Sequence, residues 1–232
     1  MDVGHILLLV FAGVVAGGIN SLAGGGSLIT FPSLMVTGLP TVEANVTNSV
    51  SVFPGYVSSV LGSRADLTGQ WPRIRAVLPA CAAGAATGCA VLLVTPARAF
   101  ELIAPFLVLG AAATLFFQER LRGLVGHPRA LSHRRRTVTL QVVVFVGAVY
   151  GGYFGAALGV MYVAALALVL DEPLHQINAV KNVLTVTVGG VTLVTFSLFG
   201  PVNWFAVLVL GPRRSRAVTR GRFWLGVCRA AS

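Results

Sequence analysis

The residues able to do chemistry in this chain are few, polar or flexible, and set inside long apolar stretches. Gly24-Gly25-Gly26-Ser27 interrupts an apolar stretch from 6 to 38. Each glycine there costs helix propensity of about 1 kcal/mol. Irregular backbone at membrane depth survives only when buried in protein or lining a watery cavity. Amides freed at such a break, beside a half-helix N-terminus, form an anion-binding nest. The competing use of the same glycines is close helix packing. Asn48 and Asn182 are side-chain amides in apolar surroundings, each able to bind a substrate oxygen or to clasp two helices. Thr47 precedes the first, and Asn20 and Ser21 stand just before the glycine break. Lys181 is the only lysine. At the bilayer centre it would cost about 2.5–3.5 kcal/mol, so it either snorkels to an interface beside Asp171, Glu172 and His175 or neutralises a bound anion. No carboxylate falls deep inside a span (Glu101 stands at the edge of 99–117), so the pattern favours an anion cavity over a cation site.

The stretches that carry these residues read as membrane helices. Apolar residues make up 56% of the 232 and charged residues 10%, with mean hydropathy +0.84. A soluble domain has about 45–50% and about 25% respectively, so a soluble enzyme or binding module is excluded. The apolar runs lack the alternation of barrel strands, which leaves an all-α, polytopic helical protein. Spans of roughly 17–25 residues fit 46–62, 74–96, 99–117 and 177–199. Two longer stretches, 6–38 and 138–170, are interrupted by glycine, the second at Gly151-Gly152, Gly155 and Gly159. About seven transmembrane segments (six to eight) are expected.

The two interrupted stretches are similar to one another. Displacing the chain on itself by 134 residues aligns 10–60 with 144–194 without a gap, and 15 of 51 positions are identical. Gly17/Gly151, Gly25/Gly159, Asn48/Asn182 and Gly55/Gly189 are among them. The expected organisation is a first repeat with two further spans (1–117), a basic loop (118–137), a second repeat (138–211) and a basic tail (212–232). Of 17 basic residues, six lie in the loop and six in the tail, against 7 acidic residues in all. That distribution follows the positive-inside bias rather than nucleic-acid binding, and it puts the basic loops in the cytoplasm. With that orientation each repeat crosses an odd number of times, and the two are inverted. Inverted, glycine-broken repeats are a common build of secondary transporters. Cys81, Cys89 and Cys228 have no metal-binding or disulfide spacing and read as small packing residues. There is no HExxH, GxSxG or Walker loop, so neither an enzyme, a cofactor nor a metal is expected.

The run Gly24-Gly25-Gly26-Ser27 through Phe31-Pro32-Ser33-Leu34, then Gly38-Leu39-Pro40 and Thr47-Asn48-Ser49, resembles the TauE/SafE family of permeases. Gly151-Gly152-Tyr153-Phe154-Gly155-Ala156-Ala157-Leu158-Gly159 is similar to that family's second glycine motif, with Ala156-Ala157-Leu158 where further glycine is usual. The resemblance covers roughly 1–210. It implies a plasma-membrane transporter, usually an exporter, of sulfite, sulfonates or related organic anions, with a small anionic substrate and the lipid bilayer as its partners. The substrate-binding candidates are Asn20, Ser21, Gly24, Gly25, Gly26, Ser27, Thr47, Asn48, Gly159, Lys181 and Asn182. The alternative function is a membrane scaffold or assembly partner that transports nothing. Neither oligomeric state nor coupling ion is legible. After Leu210 the family continues with an apolar span, whereas Gly211-Pro212-Arg213-Arg214 opens a basic tail here. The apolar run 201–211 is too short to cross unaided, and the expectation is a truncated or frame-shifted C-terminus.

Overall fold

The computed structural model describes residues 3–22, 25–117, 133–170 and 172–210. All regular structure among them is helical. In chain order the helices are α1 (Val3–Leu22), α2 (Ser27–Val36), α3 (Thr41–Gly62), α4 (Trp71–Val94), α5 (Ala97–Phe116), α6 (His133–Tyr153), α7 (Leu158–Val169) and α8 (Leu174–Phe199). A 3-10 turn, Arg64–Leu67, joins α3 to α4, and residues 204–210 form a last helical stretch. α4, α5 and α8 contain segments long and apolar enough to cross a bilayer by length and composition. α2 and α7, of 10 and 12 residues, reach only about 15–18 Å at 1.5 Å per residue, half a bilayer.

Local chemistry sets the boundaries. Gly38 turns the chain at φ +89°, and Pro40, with its ring fixing φ at −54°, stands at the N-cap of α3. Pro173 does the same for α8. Pro72 occupies the first turn of α4, where its missing N–H costs nothing. Between α6 and α7 the chain reverses through Gly155 at φ +73° and Ala157 at φ +56°. This break falls at 154–157, later than the glycine pair suggests: Gly151 and Gly152 lie inside α6, and Gly159 lies inside α7. The basic run His133–Arg136, expected to be loop, is the first turn of α6. Arg136 Nε donates to the Val169 carbonyl at 3.1 Å, placing a cation at the C-terminal, negative end of α7.

Side-chain contacts fix the helix directions. Leu158 lies against Gly151, Tyr162 against Gly147 with its hydroxyl donating to the Val144 carbonyl at 3.0 Å, and Val169 meets Arg136. α7 therefore folds back antiparallel along α6. α3 and α8 are antiparallel too: Val46 meets Gly200, Phe53 and Tyr56 meet Gly189, and Ser63 meets Asn182. One face of the bundle accordingly carries the start of α3 and the end of α8, joined through Glu43, Thr47 and Asn203. The opposite face carries the end of α3 and the starts of α4, α6 and α8. There Arg73 pairs with Glu172 at 3.2 Å and Gln70 donates to Gln176 at 2.8 Å.

α4 and α6 run parallel, backbone against backbone. A Cβ on Gly88 would stand 2.1 Å from the Val149 oxygen, and one on Gly152 would stand 2.2 Å from the Ala85 oxygen. This is packing of the small-residue type used where lipid supplies no hydrophobic drive. Cys81 and Cys89 are fully buried, as expected of packing residues; Cys81 lies in the same core as Ala85 and Ala148. Cys228 lies outside the described residues. α5 instead turns Leu102, Ile103, Phe106 and Leu109 outward, an apolar face suited to lipid. The segment 204–210 is built into the bundle rather than left short at its edge. Asn203 Oδ1 accepts from the Ala206 N–H at 3.2 Å, capping it, while Ala206 and Leu210 are fully buried, the latter against Gly13. The tail 212–232 lies outside the described residues.

Candidate functional site

The two helix breaks open on one cavity. Ser27 starts α2, Gly155 and Leu158 lead into α7, and all three line it. α3 contributes Asn48, Ser49, Val52 and Tyr56, and α8 contributes Val188, Gly189 and Thr192. The cavity lies beside the place where α3 and α8 cross most closely. A Cβ on Gly189 would stand 2.8 Å from the Tyr56 ring. Its volume is about 20 Å³, space for about one water molecule.

Each short helix starts at this cavity, with the Leu28 and Ile29 N–H groups donating to the Gly25 and Gly26 carbonyls and the Leu158 N–H to the Gly155 carbonyl. These helix starts remain electropositive, since they carry the positive end of the helix dipole. The α2 break is held by close approach: a Cβ on Gly26 would stand 2.3 Å from the Ala16 oxygen of α1, so no larger residue fits. The α7 break is held by Tyr150, whose hydroxyl donates to the Ala156 carbonyl at 2.7 Å. Phe31 and Phe154, one from each broken unit, meet edge to face at 5.3 Å.

Asn48 is 2% exposed, and its Oδ1 accepts from the Thr30 hydroxyl at 2.6 Å. Ser51 donates to the Asn48 carbonyl at 2.8 Å, which keeps the polar groups of this turn of α3 satisfied in an apolar bundle. One turn earlier, Asn45 is 1% exposed. Its Nδ2 donates to the Tyr153 carbonyl at 2.9 Å, and its Oδ1 has no partner.

Of the residues singled out in the sequence, the structure brings Ser27 and Asn48 together at the cavity. Gly25 and Gly26 are buried just before Ser27. Asn20 and Ser21 lie in the last turn of α1, with side chains outside the described set, and Gly24 is itself outside it. Thr47 points to the connection after α8, its hydroxyl accepting from the Asn203 N–H at 3.0 Å. Gly159 is buried in the first turn of α7 and is not among the lining residues. Asn182 and Lys181 lie at the other end of the α3–α8 pair. Asn182 Nδ2 donates to Ser63 Oγ at 2.9 Å and to the Ser59 carbonyl at 3.2 Å, and Lys181 beside it is half-buried.

Tyr56, Thr192, Thr30 and Asn45 were not singled out, and Ser49 was read as part of a motif but not as a binding candidate. A signal existed for most of them: 45, 48/49, 52 and 56 follow helical spacing and mark one face of α3.

A bundle of apolar helices with two interrupted units meeting at a small polar-lined cavity is the architecture of a membrane transporter. Residues 9–213 match the sulfite exporter TauE/SafE family, and the chain belongs to that family. It is 26% identical over 212 residues to the probable membrane transporter protein ORF9 of a Sinorhizobium species, covering 89% of this chain and 78% of that one. It is 30% identical over 206 residues to a probable membrane transporter protein of Haemophilus influenzae, covering 88% and 79%. The probable membrane transporter protein YfcA of Escherichia coli K12 is 29% identical over 217 residues, covering 88% and 74%. No solved structure matches the chain significantly.

Proposed function

We propose that the chain exports a small sulfur-containing anion, sulfite or an organosulfonate, through the cavity between α2, α3, the α6–α7 break and α8. The observation that carries this reading is the convergence of two half-helix N-termini on one polar cavity. Such ends attract negative charge, and broken helices in transporters aim them at anionic cargo. Ser27, Ser49, Tyr56, Thr192 and the Asn48 amide supply neutral hydrogen-bonding groups around the same space.

The mechanism follows from an inverted pair of repeats. In the α3–α8 pair, contacting residue numbers sum to about 245: 56 with 189, and 63 with 182. Under the 134-residue displacement, a residue pairs with its own counterpart where the number is about 55. That is Gly55 and Gly189, a coincidence that supports a pseudo-two-fold axis through the crossing beside the cavity. Two inverted units about such an axis can rock to open the site on alternate faces. A volume near that of one water means that the walls part before cargo enters. With the basic loops in the cytoplasm of a plasma membrane, the Arg73–Glu172 face is the inner one and the Glu43–Asn203 face the outer one.

The test is thermal unfolding of the detergent-purified chain against sulfite, sulfonates, other anions and inorganic cations. A specific ligand at about 100 times its dissociation constant adds about 2.7 kcal/mol. Stabilisation by one sulfur oxyanion, lost in Asn48→Ala, supports the reading. A cooperative melt that no anion moves refutes it.

A further inference from the structure

The cavity and the turn of α3 next to it differ in what they ask of a ligand. None of the described residues lining the cavity is Asp, Glu, His, Lys or Arg. The one lysine, Lys181, lies toward the opposite end of the α3–α8 pair, beside Asn182. A site built from helix ends and neutral groups bears one negative charge far better than two, because the cost of desolvating an ion rises steeply with its charge.

Asn45 adds the second half of the argument. It stands one turn before Asn48 on the same side of α3, enclosed behind the lining residues rather than among them, so cargo meets it only once the walls part. Its other neighbour, Tyr153, directly precedes the lining residues Phe154 and Gly155. The orientation of its amide is fixed, since only Nδ2 can donate to the Tyr153 carbonyl. Oδ1 is thereby left as an acceptor, in a residue 1% exposed, with no donor to meet it. A buried acceptor left alone is a rare and costly feature. It does nothing for an anion that can only accept, such as a sulfonate or sulfate. It suits an O–H.

We propose that Asn45 Oδ1 accepts a hydrogen bond from the O–H of a protonated, singly charged oxyanion, so that the carrier selects hydrogen sulfite over both sulfite dianion and sulfonate. This rests on the anion-carrier reading above and narrows its substrate class. The titratable and charged groups on the elements around Asn45 do not supply an alternative switch by contact with the cavity. Glu43 on α3 is engaged by Asn203 at 3.4 Å, and Arg98 and Glu101 at the start of α5 are exposed. Tyr150 on α6 is spent on the Ala156 carbonyl, and Tyr153 meets Asn45 through its backbone. On α8, His175 and Lys181 belong to the far end.

The experiment is flux through the full chain reconstituted in liposomes, with pH equal on both sides and stepped together. Three cargoes are compared: sulfite, methanesulfonate (one charge, no O–H) and sulfate (two charges). The expected result is a sulfite rate that falls as pH rises, in proportion to the hydrogen sulfite fraction, with sulfate excluded. At the acidic end, methanesulfonate moves about tenfold more slowly than hydrogen sulfite. In Asn45→Leu that tenfold preference collapses to near parity, which loss of the Tyr153 contact alone would not produce. A sulfite rate flat with pH, methanesulfonate carried as fast as hydrogen sulfite, or an unchanged preference in Asn45→Leu overturns the inference and leaves the anion carrier standing. If no oxyanion moves in the wild type, both readings fall. Should Asn45→Leu not fold, the wild-type pH profile and the sulfite–methanesulfonate ratio decide alone.

Discussion

Asn48 and Asn182 occupy equivalent positions under the 134-residue displacement, yet the two ends of the α3–α8 pair use them differently. Each is 2% exposed, and each has a hydroxyl three residues on that donates to its carbonyl, Ser51 and Thr185. Beyond that the surroundings diverge. Asn182 bridges to α3 through Ser63 and Ser59, a clasp between two long helices. Asn48 is engaged by Thr30 of the short helix α2 and lines the cavity. The reason is one residue: the position corresponding to Thr30 is Ala164, which has no hydroxyl, so Asn182 is not drawn to α7. The counterpart of Ser63 is Ser197, which is exposed. One amide clasps two long helices, and its counterpart lines the cavity. Ser63, which caps the end of α3, lies fifteen residues beyond Asn48, about 22 Å along the helix, so the two asparagines do not act on one ligand together.

The largest effect should come from disturbing the α3–α8 crossing, the pivot of the proposed rocking motion. Gly189→Val puts branched carbon where a first Cβ already stands 2.8 Å from Tyr56 and 3.2 Å from Phe53. Overpacking of this kind costs about 1–3 kcal/mol, and here it also splays the cavity wall. Flux should vanish and the melting temperature of the purified protein should fall. A variant with wild-type flux would remove the pivot from the argument.

The contrast between the asparagines themselves comes next. Asn182→Ala takes two hydrogen bonds from a buried clasp and should destabilise by about 1–3 kcal/mol, with flux retained in the protein that folds. Asn48→Ala should cost about 1 kcal/mol, the usual worth of an interhelical bond in a membrane, because the Thr30 hydroxyl also contacts the Gly26 carbonyl at 3.3 Å. Its flux should fall at least tenfold. Measuring melting temperature and flux on both variants checks the pair. Equal flux losses would erase the difference between the ends.

Much of this arrangement was legible in the sequence. Composition and run length gave the helical membrane class and the two glycine interruptions, whereas the second break falls at 154–157, later than Gly151-Gly152 suggests, and α6 starts within the basic run at His133. Thr47-Asn48-Ser49 and Gly26-Ser27 were legible as polar or irregular residues at depth. What was not legible depends on which neighbour each residue meets. Gly151 and Gly152 look alike in the chain, but one lines the cavity and the other receives the α4 backbone. Thr47 sits beside Asn48 in sequence and yet faces away, toward Asn203, because adjacent helical residues lie about 100° apart. Tyr56 and Thr192 enter the site only because α3 and α8 cross where they do.

The smallest expected effect compares the two breaks. The first break is glycine throughout, Gly24 to Gly26, whereas the second places Ala157 at φ +56° and ψ +15°. A residue with a Cβ in the left-handed region costs about 1–2 kcal/mol, and Ala157 is fully buried, so it cannot relax outward. Its carbonyl accepts from the Val160 and Met161 N–H groups at 3.0 and 3.1 Å, which ties the strained conformation to the start of α7. Ala157→Gly should therefore stabilise the protein by about 1 kcal/mol, since the strain removed exceeds the added freedom of glycine in the unfolded chain. Thermal unfolding of the variant beside the wild type measures it. If both melt at the same temperature, the strain is absent and α7 starts as easily as α2. If Ala157→Gly melts higher but carries cargo more slowly, the strain belongs to the rocking motion, and the second break is the one that moves.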